Sequence, residues 1–122
     1  MDWKLVLIVA AVVVGMFVIK RLGFIGAAAA REHLKSGALV VDVRSPEEFN
    51  SGKLPGAVNV PLGELGELAP RRLPDKNRVL LLHCLSGTRS GFAKSQLKSM
   101  GYTKVFNLGS LGRARSIFQK VS

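Results

Sequence analysis

Two kinds of hydrophobic pattern divide the chain. From Leu5 to Ile19 (LVLIVAAVVVGMFVI) no charged or strongly polar residue occurs, whereas the residues that follow alternate short apolar runs with polar and charged stretches. The first pattern predicts one apolar helix, and the second an ordinary folded domain. Within the domain, Ala27 to Lys35 is an alanine-rich helical stretch stopped by Ser36-Gly37. Ala38 to Val43 (ALVVDV) has the short apolar run of a buried strand. Ser45-Pro46-Glu47-Glu48 carries an N-cap, a first-turn proline and a capping-box glutamate, so a short helix through Phe49 should start there. Leu54-Pro55-Gly56-Ala57 is a turn and Val58-Asn59-Val60 a brief strand.

Leu62, Leu65 and Leu68 recur at helical spacing until Pro70 and Pro74, which are expected to break the pattern. Arg78 to His83 (RVLLLH) is a second buried strand, and a glycine-containing turn after it leads into a helix ending at Ser99, with Phe92, Ala93, Leu97 and Met100 as its apolar face. Lys104 to Leu108 forms another strand, and Gly109 to Val121 a basic helix. Strands and helices alternate with connections too long for hairpins, which predicts an α/β domain with a parallel β-sheet flanked by helices, preceded by one hydrophobic N-terminal helix. The expected division is an anchor over residues 1–25 and a folded domain over residues 26–122.

The apolar run alone is short for a bilayer, since 15 helical residues rise roughly 22 Å against a hydrocarbon core of ~30 Å. Trp3 suits an interface, Lys4, Lys20 and Arg21 can snorkel, and Leu22, Phe24 and Ile25 extend the apolar character, so a membrane contact through residues 3–22 is the expectation. The rival reading is an export signal cleaved near Ala27 to Ala30, but a basic pair, Lys20-Arg21, occupies the region that should be neutral. With Lys4 on one side and Lys20, Arg21, Arg31 and Lys35 on the other, an anchored domain would face the cytoplasm; an exported one would be periplasmic.

Composition refines this picture. Eighteen Lys and Arg against eight Asp and Glu give a net charge of +10, and only Asp2 and Lys4 precede the apolar run, so the surplus belongs to the domain. A single Tyr and no basic run interleaved with aromatics argue against nucleic acid, leaving anionic headgroups or plain solubility as uses of the charge. One cysteine excludes an internal disulfide or a four-cysteine metal site. No metal or organic cofactor is implied.

That cysteine, Cys84, falls just beyond the carboxyl end of the strand Arg78 to His83, where ligands bind in open α/β sheets. Leu85-Ser86-Gly87-Thr88-Arg89-Ser90 follows. A central glycine lets the backbone curl into an anion-binding nest, and a helix beginning near Ser90 points its positive dipole end at the same place. Beside Arg89, a thiol there should ionise below the free value of ~8.5. A lone cysteine is otherwise a small buried hydrophobe, but a packing role would not need Gly, Thr, Arg and Ser arrayed after it. His83, next to Cys84 in a strand, points to the opposite sheet face and is assigned to packing or surface. His33 is expected to be exposed.

These residues resemble the rhodanese-like, or thiosulfate sulfurtransferase, domains. Val41-Asp42-Val43-Arg44, Glu48-Phe49 and Gly52-Lys53-Leu54-Pro55-Gly56-Ala57-Val58-Asn59-Val60-Pro61 look like that family's first signature. Cys84-Leu85-Ser86-Gly87-Thr88-Arg89-Ser90 matches its active-site loop, and Val105-Phe106-Asn107-Leu108-Gly109 is similar to its last strand and turn. The resemblance covers about residues 26–118. It implies a Cys84 thiolate that takes a sulfane sulfur from a small anionic donor such as thiosulfate and yields it to cyanide or a thiol. It also implies that Leu85, Ser86, Gly87, Thr88 and Arg89 hold donor and persulfide while Asp42, Arg44 and Ser90 brace the loop.

Four residues separate Cys84 from Arg89, where related phosphatases have five, so the resemblance favours sulfur over phosphoryl chemistry. Lys53 stands where the family often has histidine, Ser110 where it has a second glycine, and Arg113 and Arg115 lie where a tryptophan is often found nearby. A different expectation is a persulfide carrier or docking module with little thiosulfate turnover.

Overall fold

The computed structural model describes residues 2–121, with the side chains of residues 18–22 outside the described set. In chain order the elements are α1 (Trp3–Leu22), α2 (Ala27–Lys35), β1 (Leu39–Asp42), α3 (Pro46–Ser51), β2 (Val58–Asn59), a 3-10 turn (Leu62–Glu64), α4 (Leu65–Arg72), β3 (Leu80–His83), α5 (Thr88–Ser99), β4 (Val105–Gly109) and α6 (Leu111–Gln119). The four strands form one sheet in the order β2-β1-β3-β4, parallel at every pairing. The expected parallel sheet covered by helices is what forms.

Strand alternation divides the interior into two cores. Val41, Val43, Leu80, Leu82 and Cys84 face α4 and α5, where they meet Leu65, Ala69, Ala93 and Leu97. Val40, Leu81 and Leu108 face α2 and α6, where they meet Ala30, Ala114 and Ile117. Both faces of β3 are covered, so its four residues are all buried, as a central parallel strand requires. Tyr102 closes the first core with its hydroxyl donating to the Leu73 carbonyl at 2.7 Å.

Local signals placed several elements where expected. Helix α3 opens with a complete capping box, in which Ser45 Oγ accepts from the Glu48 N–H while the Glu48 carboxylate accepts from the Ser45 N–H, and Pro46 sits at its first position. Helix α2 covers Ala27–Lys35 and stops at Ser36. Three expectations fail. Pro70 lies inside α4 rather than ending it, because it falls in the last turn of an eight-residue helix that stops at Arg72, where its missing N–H costs a single bond. Phe92 is 67% exposed, so the apolar face of α5 is carried by Ala93 and Leu97. His33 is half-buried and stacks on Phe106, with ring centroids 5.1 Å apart.

The expectation of a membrane-spanning anchor is not supported: among the described residues no helix is long and apolar enough to cross a membrane. The described apolar side chains of α1 run from Leu5 to Phe17, a rise of roughly 20 Å against ~30 Å of hydrocarbon. The snorkelling expected of Lys20 and Arg21 and the apolar continuation through Leu22 fall on side chains outside the described residues.

The two cores and the exposed Phe92 make opposite predictions for truncation. Leu82→Ala should lower unfolding free energy by about 3 kcal/mol in chemical denaturation with the denaturant slope unchanged. Phe92→Ala should stay within about 0.5 kcal/mol of the parent.

Candidate active site

Beyond the carboxyl end of β3 the chain leaves the sheet at Cys84 and must turn sharply to begin α5. Gly87 makes the turn in the left-handed region, φ 96°, and is itself the N-cap of α5. The helix therefore starts at Thr88, two residues before the expected start, because the glycine ends the loop early. No other residue fits there. A Cβ on Gly87 would lie 2.6 Å from the Phe24 ring and 3.2 Å from the Gly109 backbone.

The turn points its donors at the sulfur. Cys84 has no solvent exposure, and its Sγ accepts from the Gly87 N–H at 2.9 Å and from the Ser90 N–H at 3.5 Å, with the Ser90 hydroxyl oxygen also 3.5 Å away. Burial pushes the thiol up, but the Ser90 hydroxyl and the N–H groups of Ser90, Gly87 and Ser86 outweigh it, so Cys84 ionises below its ordinary value. Ser90 is the third residue of α5, so the sulfur sits at the positive end of that helix. The other loop side chains point outward. Leu85 is 57% exposed, and Ser86 and Thr88 are exposed with their hydroxyls 3.5 Å apart.

Arg89, expected beside the thiol, is held there by a partner. Its guanidinium makes a two-pronged pair with Glu48 of α3, Nη1 to Oε1 at 2.6 Å and Nη2 to Oε2 at 3.0 Å. The Arg89 fork, aided by the Ser45 N–H, holds the Glu48 carboxyl down at about 2. Glu48 thus closes a helix start at one oxygen and fixes the active-site arginine with both. The residue was legible as a cap, but its partner lies 41 positions away.

Asp42 and Arg44 pair with each other instead of touching the loop. Both Asp42 oxygens accept from the Arg44 guanidinium, the shortest contact being 2.7 Å, and Arg44 also donates to the Gly52 carbonyl at 2.7 Å. The pair lies almost wholly out of solvent. It fixes the turn from β1 into α3, so its bracing reaches the loop through Glu48. His83 is buried on the same sheet face, its Nε2 3.7 Å from Asp42, and burial holds its pKa down against the pull of that carboxylate. As its neighbour relation required, it turns away from Cys84.

Two residues that sequence reasoning did not single out complete the site. Asn107 of β4 is buried behind the loop; its Oδ1 accepts from Ser90 Oγ at 2.7 Å and from the Gly109 N–H at 2.9 Å, and its Nδ2 donates to the Gly87 carbonyl at 3.1 Å. Phe24 packs against Gly87 and Gly109 and, with Phe92, Thr88 and Gly91, lines an open cavity of about 400 Å³ beside the loop. Arg113 holds this corner by donating to the carbonyls of Leu108 and Ile25, both at 2.6 Å, and stacks over Phe24. Ser110, in place of a second glycine, caps α6 by accepting from the Arg113 N–H at 3.1 Å. Lys53 and Arg115 lie together at a separate groove with Leu54, Pro55 and Phe118. Among the described residues no cluster of three or more His, Cys, Asp or Glu could hold a metal.

A buried, easily ionised thiol in a cradle of backbone donors at the end of a central parallel strand can act as a nucleophile toward a small group and retain it. The model of the rhodanese-like domain matches residues 26–111, and the chain belongs to that family. It is similar to thiosulfate sulfurtransferase PspE of Escherichia coli (strain K12), 44% identical over 71 residues that make up 58% of this chain and 68% of PspE. Among solved structures it is similar to a rhodanese with anions from E. coli, 40% identical with a TM-score of 0.60, covering 63% of this chain and 91% of that one. It also resembles the human single-domain sulfurtransferase TSTD1, 30% identical with a TM-score of 0.63, covering 82% of this chain and 98% of that one. The chain is a rhodanese-type enzyme, and sulfur transfer is its activity at the level of the family.

The Glu48–Arg89 pair carries a pH signature. Glu48 is held below its ordinary 4.5, so its contribution to stability is present above pH ~4.5 and is lost as pH falls toward about 2. The unfolding free energy of Glu48→Gln should therefore fall below the parent's above pH 4.5, with the gap closing toward pH 2 and shrinking in high salt. A gap independent of pH would contradict this.

Proposed function

We propose that Cys84 carries a sulfane sulfur as a persulfide from a small anionic donor such as thiosulfate to a nucleophilic acceptor, cyanide or a thiol. The observation that carries this reading is the sulfur's surroundings: a buried Sγ facing the Gly87 N–H and the Ser90 N–H and hydroxyl. The Cys84 thiolate attacks the outer sulfur of thiosulfate; a new S–S bond forms, the old one breaks, and sulfite leaves with its electron pair. The acceptor then attacks the terminal sulfur, and Cys84 departs as thiolate. No external oxidant or reductant is needed in either step. Loop N–H groups from Leu85 to Arg89, with the Ser86 and Thr88 hydroxyls at the mouth, receive the donor. Arg89 contributes as half of a neutralised pair, so attraction of the donor falls mainly on the backbone dipoles and the domain's positive charge.

A second reading, a carrier that serves a protein thiol with little thiosulfate turnover, is favoured by one observation. Apart from residues of α1, Leu85 and Phe92 are the exposed large hydrophobic side chains among the described residues, and both flank the loop. Its signature is a Cys84 persulfide that discharges to a protein thiol and not to cyanide.

The apolar side chains of α1, among them Leu5, Ile8, Val12 and Phe17, are exposed on every side of the helix, a pattern that requires cover. We propose that lipid supplies it and that α1 tethers the domain at the cytoplasmic membrane surface, export to the periplasm being the alternative location. Flotation of the whole chain with anionic vesicles, against a chain lacking residues 1–25, tests the tether. Equal flotation of the two would remove it.

Intact mass measurement of the whole chain after incubation with thiosulfate tests the chemistry. The parent should gain about 32 Da, one sulfur atom, and Cys84→Ser should gain nothing while keeping its fold. No gain with any sulfane donor would overturn the assignment.

A further inference from the structure

The hydroxyl proton of Ser90 has three acceptors within reach: Asn107 Oδ1 at 2.7 Å, the Gly87 carbonyl at 3.2 Å and Cys84 Sγ at 3.5 Å. The orientation of the Asn107 amide is fixed by backbone groups that have no choice of role. The Gly109 N–H can only donate, so the atom 2.9 Å from it is Oδ1; the Gly87 carbonyl can only accept, so the atom 3.1 Å from it is Nδ2. Oδ1 in turn can only accept, so the 2.7 Å contact with Ser90 Oγ uses the hydroxyl proton of Ser90. A hydroxyl has one proton. While it is given to Asn107 it is available neither to Cys84 Sγ, 3.5 Å away, nor to the Gly87 carbonyl, which the Asn107 Nδ2 and Gly91 N–H groups supply.

We propose that Asn107 is a positioning residue that competes with the Cys84 sulfur for the Ser90 hydroxyl proton and so sets how strongly the sulfur is held as an anion. With the proton on Asn107, Ser90 Oγ presents a lone pair toward the sulfur and suits a neutral thiol. With the proton turned to Sγ it suits a thiolate. Ser90 is fully buried, and Asn107 is buried at the inner edge of the open cavity beside the loop. No atom is exchanged and no charge is created at Asn107; a hydroxyl rotates.

The ionisable groups around the loop are Arg89 of α5 with its Glu48 of α3, and, across the sheet, Asp42 and Arg44 at the end of β1 and His83 of β3. On α6, Arg115 acts on His83 and Arg113 holds the Leu108 and Ile25 carbonyls. Asn107 is uncharged, so an apolar replacement of similar size alters hydrogen bonding and leaves this set intact. The inference rests on the proposed use of Cys84, but its test reads the thiol itself and succeeds or fails whether or not a persulfide forms.

The chain holds one cysteine, so thiolate ultraviolet absorbance against Cys84→Ser reports Cys84 alone. The pH midpoint should be measured for the whole chain, Asn107→Leu, Ser90→Ala and the double variant. Asn107→Leu should lower the midpoint by about half a pH unit, roughly threefold in thiolate at fixed pH, because the Ser90 proton, no longer drawn to Asn107, is left to the sulfur and the Gly87 carbonyl, of which the anionic sulfur attracts it more. Ser90→Ala should raise it, and adding Asn107→Leu to Ser90→Ala should change nothing further. A merely structural role predicts the opposite sign, since a loosened loop aims its donors less well. A midpoint that rises or stays unchanged in Asn107→Leu, the proton then passing to the Gly87 carbonyl, or that shifts equally with and without Ser90, would overturn the proposal. If Asn107→Leu does not fold, Asn107→Asp keeps both acceptor contacts and should raise the midpoint more with Ser90 present than with Ser90→Ala; an equal rise would likewise overturn it.

Discussion

A sulfur atom sealed from water can bear negative charge only if donors fixed in the protein replace the water it has lost. Much of the arrangement around Cys84 follows from that constraint. The donors are neutral N–H groups and a hydroxyl, supplied within six residues of the sulfur, and they converge because Gly87 bends the chain through a conformation closed to other residues. Close approach of three segments then fixes the bend. Gly109, also at positive φ, lets β4 come against the loop, and the Phe24 ring fills the space where either glycine would carry a side chain. The two glycines and the ring act as one unit, and enlarging either glycine would displace the ring or open the cradle.

The sheet separates this cradle from the buried Asp42 and His83. Successive residues of β1 and β3 point to opposite faces, so Cys84 shares a core with Leu82 and Val43 while Asp42 and His83, paired in register, lie on the other side. A buried ion pair such as Asp42–Arg44 is poor evidence for stability, because desolvation of both groups offsets most of their attraction. Its effect here is geometric. By tying β1 to the Gly52 carbonyl it sets the course of the chain into α3, and α3 delivers Glu48 to Arg89. Charge is thus used to aim a helix, and the loop's own cation, Arg89, is neutralised by Glu48.

What could be read from the sequence is what neighbours along the chain decide. The capping box at Ser45, the stop at Ser36-Gly37, the buried run ending at His83 and the turn at Gly87 each depend on a few adjacent residues, and each formed where the pattern put it or within about two residues. The contacts that shape the site join distant positions: Glu48 to Arg89, Asn107 to Ser90 and Gly87, Phe24 to Gly87 and Gly109. Nothing in the local pattern marks Asn107 as different from any polar residue in a strand, although a polar side chain inside the run VFNLG was a signal that it must find buried partners. Phe92 misled for the converse reason, since helical spacing says which residues share a face but not how far the covering surface extends.

Transfer of a sulfur moves negative charge without changing its amount. In the thiolate the charge sits on Sγ; in the persulfide it sits on the terminal sulfur, about 2 Å farther out. A cradle tuned to hold charge only at the inner position would resist loading, and one tuned only to the outer position would not generate the nucleophile. Fixed donors such as the Gly87 N–H cannot follow the charge, but a hydroxyl can. In the proposed cycle, with Sγ as the inner, neutral sulfur of a persulfide, Ser90 would return its proton to Asn107 at 2.7 Å and leave no buried donor unsatisfied; with the thiolate regenerated it would turn back. In that proposed cycle an acceptor for the proton other than the sulfur would let one loop serve both halves, and the nearest one, Asn107 Oδ1, belongs to a different strand from the nucleophile.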